Sequence, residues 1–559
     1  MKRFETFLLG VLNDPKKQRI TLLATLLAFI LSVMMLPTQI VLAKMLPGKS
    51  ANTFSIYVDT PVGSSIEQTE AVTNCVAGVL SAEKEVADLE VFLGMGSPLD
   101  YAGLVKGSAF KSGEHEAEMV VNLTDKHGRD EASFEMVQRL RPVLNSRCAI
   151  QPAGTVIKLI EQPAGPPTLA SVVVELYGTD DEGLRRLSSE IAGILAKTDG
   201  LVDVDTMLDE RYRTFELVPN EEKIIKSGLS VAQVNQILYL AFEGMGAAIK
   251  NSENLQDQIP LFVTLSKATK SLHRFDAEAL RNKLSALKLM NSRGMLVPMT
   301  EVVTIRETLS NPTLMTKNLR RYVNIIAETD MVSQVYPLLD ARSMIKEQLS
   351  DRYDVEGSNL FNYRLTDRQS GAVYDLVWDG EMKVTLDTFA DLGSAFIAAL
   401  VLIFLLMVIY YKSFVLSGIV LLGSFLSIIG VIVGHWCVDL FTTHTFFLTA
   451  TSLIGFIALM GISSRNSLLL IDFTKSLMGE KGMEKGQAIA IATATRAKPI
   501  FLTAAAIMLA STLLASDPVF GGLGVALIFG TLAAVVVSLL FIPVLLVKSD
   551  LQRHFRDGE

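Results

Sequence analysis

Apolar residues are concentrated in two parts of the chain, which a long polar stretch separates. Residues 20–42 form one mainly apolar segment, and the chain is strongly apolar again from about residue 391 to residue 547. A helix needs about 20 apolar residues to cross the hydrocarbon core of a bilayer. The pattern therefore predicts one membrane span before the polar stretch and five after it. The six predicted spans are residues 20–42, 390–411, 414–436, 446–473, 498–515 and 521–547.

The polar stretch, from about residue 45 to residue 388, alternates between strand-like and helix-like periodicity. Residues 52–58 (NTFSIYV) alternate apolar and polar positions, as strands do, and residues 62–80 have apolar residues at helical spacing. A second copy of this order begins with SVVVELYG near residue 171. The repeated strand–helix–strand order predicts two related α/β modules, each with an antiparallel sheet and helices on one face.

The charges add an orientation to this picture. The chain has 559 residues and a net charge of −8, which argues against a nucleic-acid-binding role. Lys and Arg occur before the first span, between the second and third, between the fourth and fifth, and after the sixth, whereas the opposite loops at 435–444 and 516–518 have none. The positive-inside rule then predicts cytoplasmic termini at residues 1–19 and 548–559 and an external polar stretch.

Candidate chemistry in the polar stretch is sparse. It has no nucleophile motif, no phosphate-binding loop and no close metal-ligand spacing, so the sequence predicts neither an enzyme nor a cofactor or metal site. Cys75 and Cys148 would pair in an oxidising compartment, but two separate buried thiols are the favoured interpretation. His435, Cys437 and His444 fit no standard zinc spacing.

An arginine inside a predicted span is the most informative feature. In residues 461–473 (GISSRNSLLLIDF), Arg465 lies well within the fourth span, where a charge costs about 2.5–3.5 kcal/mol on insertion scales. Such residues usually face protein and pair with an acid, yet the predicted spans have only Asp391 at an outer end and Asp472 at an inner end. The alternative is that Arg465 snorkels to the inner surface beside Asp472. Otherwise another chain supplies the carboxylate.

Further cations enter the fifth span. In ATRAKPIFLT, Arg496 and Lys498 precede Pro499, and Thr503 follows about one turn inside the span. The cations alone are also typical of ordinary anchors on the cytoplasmic side. Residues 484–494, just before them, are predicted to form an amphipathic segment on the inner membrane surface.

These motifs, and the order of one span, a large external domain and five spans, resemble the C-terminal half of the resistance-nodulation-division (RND) permeases, which are proton-driven efflux pumps. VPNEEKIIKSGLSVAQVNQIL and GMLVPMTEVVTI are similar to the porter and docking segments of that family. The resemblance implies a proton relay in which Arg465, beside Asn466, takes the place of a family lysine, with Arg496 and Thr503 matching an arginine and a threonine. Lys498 and Asp472 are possible supporting residues. Lysine-to-arginine is a departure, because arginine stays charged and forms forked pairs.

The resemblance also implies an architecture and partners. We expect an α-helical membrane bundle of six spans (1 + 5) with a large external α/β domain of duplicated ferredoxin-like porter modules and a docking insert. The expected parts are the first span at 20–42, porter subdomains at 45–168 and at 169–209 with 305–385, a docking subdomain at 210–304, and a five-helix bundle at 390–547. Implied partners are an N-terminal-half permease with an acidic pair, a periplasmic adaptor and an outer-membrane channel, in a trimer within the bacterial inner membrane.

Three alternatives stay open at this stage. The chain is a truncated or split half without transport of its own, a non-transport receptor or structural membrane protein, or the permease of an ATP-driven exporter. Small amphiphilic organic compounds are the expected substrates, because methionines such as Met95 and Met119 form no evident ladder for metal ions.

Overall fold

The computed structural model describes residues 2–98, 101–162, 165, 167–251, 253, 258–272, 275–330, 333, 335–359, 361–442 and 444–550. The chain divides into two compact units. One comprises Met1–Met207 with Met315–Glu559, and the other is Leu208–Leu314. The first unit contains the membrane-spanning helices and two α/β modules, and the second is an insert within the second module.

Two helices open the chain, α1 (Lys2–Leu12) and α2 (Pro15–Met34). Asp14 caps α2 by accepting a hydrogen bond from the backbone N–H of Lys16, and Pro15 occupies the first helical position, where its missing N–H costs nothing. The helix ends at Met34, eight residues before the end of the predicted span, and turns follow. Beyond those turns, Ala43 forms a parallel bridge with Leu448.

The first module alternates strands and helices along the chain. Its elements are β1 (Thr53–Asp59), α3 (Ile66–Leu80), β2 (Val86–Leu93), α4 (Tyr101–Lys106), β3 (Glu116–Leu123), α5 (Ser133–Cys148) and β4 (Val156–Ile160). The sheet runs β2-β3-β1-β4 with every neighbouring pair antiparallel. Alternate apolar residues of the strands pack against α3 and α5 in one core.

A disulfide in this module corrects one prediction. Cys75 of α3 and Cys148 at the end of α5 are bonded to each other, so the expectation of two separate thiols is wrong. The two helices lie side by side on the sheet, which brings cysteines 73 residues apart to a Cα–Cα distance of 5.6 Å. Cys437 is a free thiol.

The second module begins with β5 (Val172–Tyr177), α6 (Asp181–Leu195) and β6 (Leu201–Thr206). Asp180 caps α6 by accepting from the Gly183 N–H, and the apolar face of this helix is buried. The chain then enters the insert before the module is complete.

The insert is compact around its own core. Its elements are β7 (Arg213–Pro219), α7 (Glu221–Lys226), α8 (Val231–Phe242), β8 (Met245–Lys250), β9 (Ile259–Val263), α9 (Lys267–Lys270), α10 (Ala277–Ala286), β10 (Lys288–Met290), β11 (Leu296–Pro298), α11 (Met299–Val302) and β12 (Val303–Leu309). Strands β7 and β12 pair antiparallel, and β8 pairs with β9 in a separate hairpin. Ile224, Val234, Leu284 and Met299 are buried in the core. The β8–β9 hairpin instead exposes Ile249, Leu261 and Phe262.

The second module resumes after the insert. It adds β13 (Thr316–Lys317), β14 (Arg320–Thr329), α12 (Val335–Leu349), β15 (Tyr353–Gly357), β16 (Tyr363–Asp367) and β17 (Val373–Asp379). Strands β6, β14, β5 and β17 lie side by side in that order, and all of these pairs are antiparallel. This repeats the strand order of the first module, and β16 and β15 extend the sheet beyond β17.

The remaining helices form the membrane bundle. They are α13 (Glu381–Tyr411), α14 (Phe414–Phe425), α15 (Ile428–Asp439), α16 (Ala450–Gly479), α17 (Lys485–Ala515), α18 (Gly521–Val536) and α19 (Ile542–Lys548). A π-helical turn, Val537–Phe541, joins the last two. With α2, and with the pairs α14–α15 and α18–α19 each counted once, six helices of the described chain have the length and composition to cross a membrane.

Two of these helices are longer than predicted. Helix α13 starts at Glu381, directly after β17, rather than near residue 390. Helix α17 runs unbroken from Lys485 through Pro499, so residues 484–494 are not the separate surface segment that was expected. Ala488 and Ala492 are buried against α16, and Ile489 and Ala490 against α1, which explains why this stretch continues the helix.

Candidate functional site

Helix α16 carries the motif with the intramembrane arginine, and its inward face is polar. Ser463, Ser464, Asn466 and Ser467 are all buried in the bundle. The Oγ atoms of Ser464 and Ser424 on α14 lie 2.8 Å apart in a hydrogen bond. Small polar side chains of this kind allow close helix packing in a membrane. The predicted polar face is therefore used within the chain itself.

The opposite face of α16 is exposed and carries the charge. Ile454, Ala458, Gly461, Arg465 and Leu469 are exposed at spacings of three or four residues, which places them on one side of the helix. We call this row the exposed stripe of α16. Arg465 lies 15 residues from one end of the helix and 14 from the other. It points away from the serines that surround it in the sequence.

Arg465 has no partner in the part of the chain that the structure describes, where it forms neither a hydrogen bond nor an ion pair. The alternative pairing with Asp472 is not seen there. Asp472 instead accepts hydrogen bonds from the hydroxyl groups of Tyr410 at 3.1 Å and Tyr411 at 3.2 Å. The two tyrosines of α13 thus bind the carboxylate of Asp472, which the sequence suggested as a partner for Arg465.

The predicted residues of α17 lie in different settings. Arg496 is half-buried, and its Cζ is 5.0 Å from the ring centroid of Phe473 on α16. Its Nε is buried without an acceptor among the described residues. Lys498 is exposed. The Thr503 side chain is also exposed, and its hydroxyl donates to the carbonyl oxygens of Pro499 and Ile500 within its own helix.

The two helices beside this site are poorly covered. Helices α13 and α17 both pack against α16, yet few residues of their membrane-crossing stretches are buried. The most exposed large apolar side chains are Ile397, Leu402, Leu406 and Ile409 on α13 and Phe501, Leu502, Leu509 and Leu513 on α17. Lipid or another protein surface must cover such an area in a membrane.

Outside the membrane bundle, four ion pairs among the described residues join the two modules, and sequence reasoning did not find them. Lys106 pairs with Glu328 at 2.7 Å, and Arg141 pairs with Asp203 at 3.1 Å and with Asp330 at 3.5 Å. Lys158 pairs with Asp205 across the same junction. In each pair the first module supplies the cation and the second supplies the acid. The partners lie at least 47 residues apart, so only the folded chain reveals them.

These contacts shift the pKa of the groups involved. Burial raises the pKa of Glu328, but Lys106 and the hydroxyl and N–H of Ser171 outweigh it and hold the pKa below the ordinary value. Burial likewise raises the pKa of Asp203, and here the nearby Arg141 does not fully offset the effect.

Comparison with known proteins decides the family. The family model described as the AcrB/AcrD/AcrF family matches residues 1–550. The chain belongs to this family. Its members are the RND permeases, which are transporters and not enzymes. The chain is accordingly a multi-pass membrane protein, as its apolar helices also indicate.

The AcrB/AcrD/AcrF relatives are distant in sequence. The swarming motility protein SwrC of Bacillus subtilis is 24% identical over 66% of this chain and 32% of its own length. The cobalt-zinc-cadmium resistance protein CzcA of Cupriavidus metallidurans is 23% identical over 67% of this chain and 33% of its own length. The multidrug export protein AcrF of Escherichia coli is 21% identical over 90% of this chain and 45% of its own length.

The fold is shared with solved structures of this family. Two crystal forms of a heavy metal efflux pump match 98% and 97% of this chain, with TM-scores of 0.72 and 0.73 at 18% identity. The match covers 52% and 51% of those chains. The chain therefore spans about half the length of the proteins whose fold it shares.

Proposed function

We propose that this chain forms the C-terminal half of a proton-driven RND efflux permease, which exports small molecules from the periplasm or inner membrane through a tripartite pump. One observation carries the proposal. Arg465 sits at the middle of a membrane-spanning helix, faces away from its own bundle and has no counter-ion in the described chain.

The physical argument concerns the cost of that position. A permanently charged guanidinium in hydrocarbon costs several kcal/mol, which is a large share of the stability of a folded protein. The cost falls if a surface carrying a carboxylate covers the exposed stripe, because a forked Arg–carboxylate pair then replaces the lost water. Gly461 and Ala458 lie one and two turns from Arg465 in the stripe and leave room for a helix to approach closely.

We assign the relay roles accordingly. Arg465 pairs with an acid of the N-terminal half when that acid is ionised and is released when it is protonated. Asn466 holds the inward face of α16, Arg496 provides a second cation, and Thr503 offers a hydroxyl that leaves its helical carbonyls for the acid. Lys498 and Asp472 have supporting roles. Arginine does not lose its proton at neutral pH, so the switch works by re-pairing rather than by titration of Arg465.

The rest of the architecture follows the family plan. We propose that the six long helices span the inner membrane in a 1 + 5 arrangement with cytoplasmic termini. The two modules, each with strands in the order 2-3-1-4, are the ferredoxin-like porter subdomains in the periplasm. A disulfide between Cys75 and Cys148 suits that oxidising compartment.

We propose that the insert Leu208–Leu314 is the docking subdomain. Its exposed β8–β9 hairpin, with Ile249, Leu261 and Phe262, suits a contact with a neighbouring protomer in a trimer. A periplasmic adaptor and an outer-membrane channel then complete the export path. The N-terminal half with its acidic pair comes either from a second polypeptide or from the same one.

The test is export by the complete assembly in cells that lack other efflux pumps. We expect efflux of a fluorescent amphiphile to stop when an uncoupler collapses the proton gradient while ATP persists. Relatives are named for multidrug and for cobalt-zinc-cadmium resistance, so a second arm measures efflux of Co²⁺, Zn²⁺ and Cd²⁺. Arg465→Ala should abolish export with protein level and assembly unchanged.

Two variants sharpen this test. Arg465→Lys restores the residue type of the family and should retain export, whereas Lys346→Ala, an exposed change on α12, is the control. Undiminished export by Arg465→Ala contradicts the relay. An assembled complex without any export supports the alternative of a half-permease without transport of its own.

A further inference from the structure

A large cavity lies where the two modules meet the membrane bundle. It has a volume of about 760 Å³, and residues of both modules and of the membrane bundle line it. The segment that follows α2 lines one side of the cavity, and the first residues of α13, α16 and α18 lie near another side of it. The backbone of residues 42–45 is hydrogen-bonded to Leu448 and Ala450 at the start of α16, so this side is fixed. The cavity is therefore part of the fold.

Two cations in the cavity wall are neutralised by ion pairs. Lys106 pairs with Glu328, and Arg141 pairs with Asp203 and Asp330. Glu161, a half-buried residue just after β4, is different. Within the described part of the chain its carboxyl group accepts no hydrogen bond and forms no ion pair.

Lys44 is the second unsatisfied charge in this wall. Its Nζ lies 5.5 Å from the ring centroid of Phe447 and makes no ion pair with any described residue. The charges of Glu161 and Lys44 interact electrostatically, but the two groups are too far apart for a salt bridge. Lys49 also lines the cavity and makes no ion pair with a described residue. Glu161 and Lys44 are thus a carboxyl and an ammonium group of one cavity wall that do not pair with each other.

The state of Glu161 follows from its neighbours. Burial raises its pKa to about 7, the positive charges of Arg141 and Lys44 oppose this, and the negative charges of Glu328 and Asp330 add to it. A carboxyl group in this setting ionises readily once a cation is placed against it, because the bound charge lowers its pKa.

We propose that this cavity binds the polar end of an amphiphile in which a primary ammonium group lies close to an anionic group, as in phosphoethanolamine. The ammonium donates hydrogen bonds to Glu161, and the anionic group contacts Lys44. Phe134, Phe446 and Phe447 line the same cavity and contact the apolar part of the ligand. The binding does not depend on the proposed export, and it is measurable on the purified chain.

The probe is a short-chain phosphatidylethanolamine, titrated against the purified full chain in non-ionic detergent by microscale thermophoresis. Short-chain phosphatidylcholine keeps the phosphate but lacks N–H donors, and phosphatidylglycerol lacks the ammonium. We expect tight binding of phosphatidylethanolamine only. Its affinity should rise about ninefold from pH 6 to pH 8, because the ionised fraction of Glu161 rises from about 0.1 to about 0.9 around a pKa of about 7.

Variants separate the two ends of the site. Glu161→Gln should weaken phosphatidylethanolamine binding about tenfold and remove its pH dependence. Lys44→Gln should weaken binding and keep a pH dependence whose midpoint moves to higher pH, because Lys44 lowers the pKa of Glu161. Glu347→Gln, an exposed change on α12, is the control and should behave as the wild type.

Water-soluble glycerophosphoethanolamine tells a free ligand from a membrane lipid. If it competes, the headgroup alone is recognised, and if it does not, the ligand is a lipid. Equal affinity for the three lipids, or unchanged binding by Glu161→Gln, overturns the proposal.

Discussion

The guanidinium group of Arg496 on α17 lies over the ring of Phe473 on α16, with Cζ 5.0 Å from the ring centroid. A cation over an aromatic face gains about 0.5–1 kcal/mol at exposed sites and about 2 kcal/mol or more when desolvated. Phe473 is the last residue of the motif that carries Arg465, so this contact joins the two segments of the proposed relay. It also fixes Arg496 while its Nε still lacks an acceptor among the described residues.

Phe473→Leu should release Arg496 without removing its charge. The leucine keeps most of the apolar packing but has no π face, so the guanidinium becomes more mobile and more accessible. We expect faster modification of Arg496 by phenylglyoxal, followed by peptide mass spectrometry, and a fall in export smaller than that of Arg496→Ala. Phe441→Leu, at a ring that is 90% exposed, is the matched control. An unchanged modification rate would show that Phe473 does not hold Arg496.

Two glycines of the membrane bundle allow a paired prediction. A Cβ on Gly430 of α15 would lie 2.2 Å from the carbonyl oxygen of Phe529 on α18, whereas a Cβ on Gly461 of α16 would meet nothing within 4 Å. Gly430→Ala should therefore destabilise the purified chain by about 1–3 kcal/mol, because two helices must separate. Gly461→Ala should leave its thermal stability unchanged or slightly higher.

Gly461 also tests whether the exposed stripe of α16 is an interface with another protein. In the complete assembly, Gly461→Leu should reduce co-purification of the two halves and export, because the side chain fills the space that an approaching helix needs. Thermal unfolding in detergent and quantitative co-purification measure the two effects. Normal assembly of Gly461→Leu would mean that lipid, not protein, covers the stripe.

The disulfide supports a prediction about stability. Reduction, or Cys75→Ser, removes a cross-link that closes a loop of 73 residues between α3 and α5. We expect the first module to lose about 2–4 kcal/mol of stability, chiefly because the unfolded chain gains conformational freedom. Hydrogen exchange in β1 and β3 reports this loss. Cys437→Ser, at the free thiol, should have no such effect, and equal exchange in the Cys75→Ser variant would contradict the prediction.

Much of the architecture was predictable because it depends on local pattern. Long apolar runs indicate membrane helices wherever they occur, and alternation within the polar stretch indicates strands. The ends of the helices were less predictable. Helix α17 continues through residues 484–494 because Ala488 and Ala492 pack against α16. Helix α2 stops at Met34 although apolar residues follow it.

The position of Arg465 within a span was predictable from the sequence, and the direction in which its side chain points was not. Composition marks Arg465 as a costly charge, but the side of α16 that it occupies depends on which neighbours bury Ser463, Ser464 and Ser467. The pairing of Asp472 with two tyrosines, and of Cys75 with Cys148, depends on helix packing between distant segments. The ion pairs between the modules have the same origin.

The last prediction concerns the junction of the two modules. Lys158 of β4, which is 8% exposed, pairs with Asp59 at 3.0 Å within its module and with Asp205 of the second module. Lys158→Met leaves the two carboxylates facing each other and should destabilise the junction by about 3–5 kcal/mol. Hydrogen exchange at β4 and β6 reports this as faster opening. Lys226→Met, at the exposed pair of Lys226 with Glu222, should cost less than about 1 kcal/mol.

The pH dependence of the contact between Asp59 and Lys158 has a definite sign. Burial raises the pKa of Asp59, but Lys158 and Lys111 outweigh it and hold the pKa below its ordinary value. A depressed carboxyl pKa contributes stability above the unfolded value of about 3.9, and this stability is lost as the pH falls through the lowered pKa. Strands β1 and β4 of the first module, which Asp59 and Lys158 join, should therefore stay protected from hydrogen exchange at pH 5 and lose protection as the pH falls below about 4. Lys158→Met should already exchange rapidly at pH 7, and identical protection in the two proteins at pH 7 would show that Lys158 does not hold the modules together.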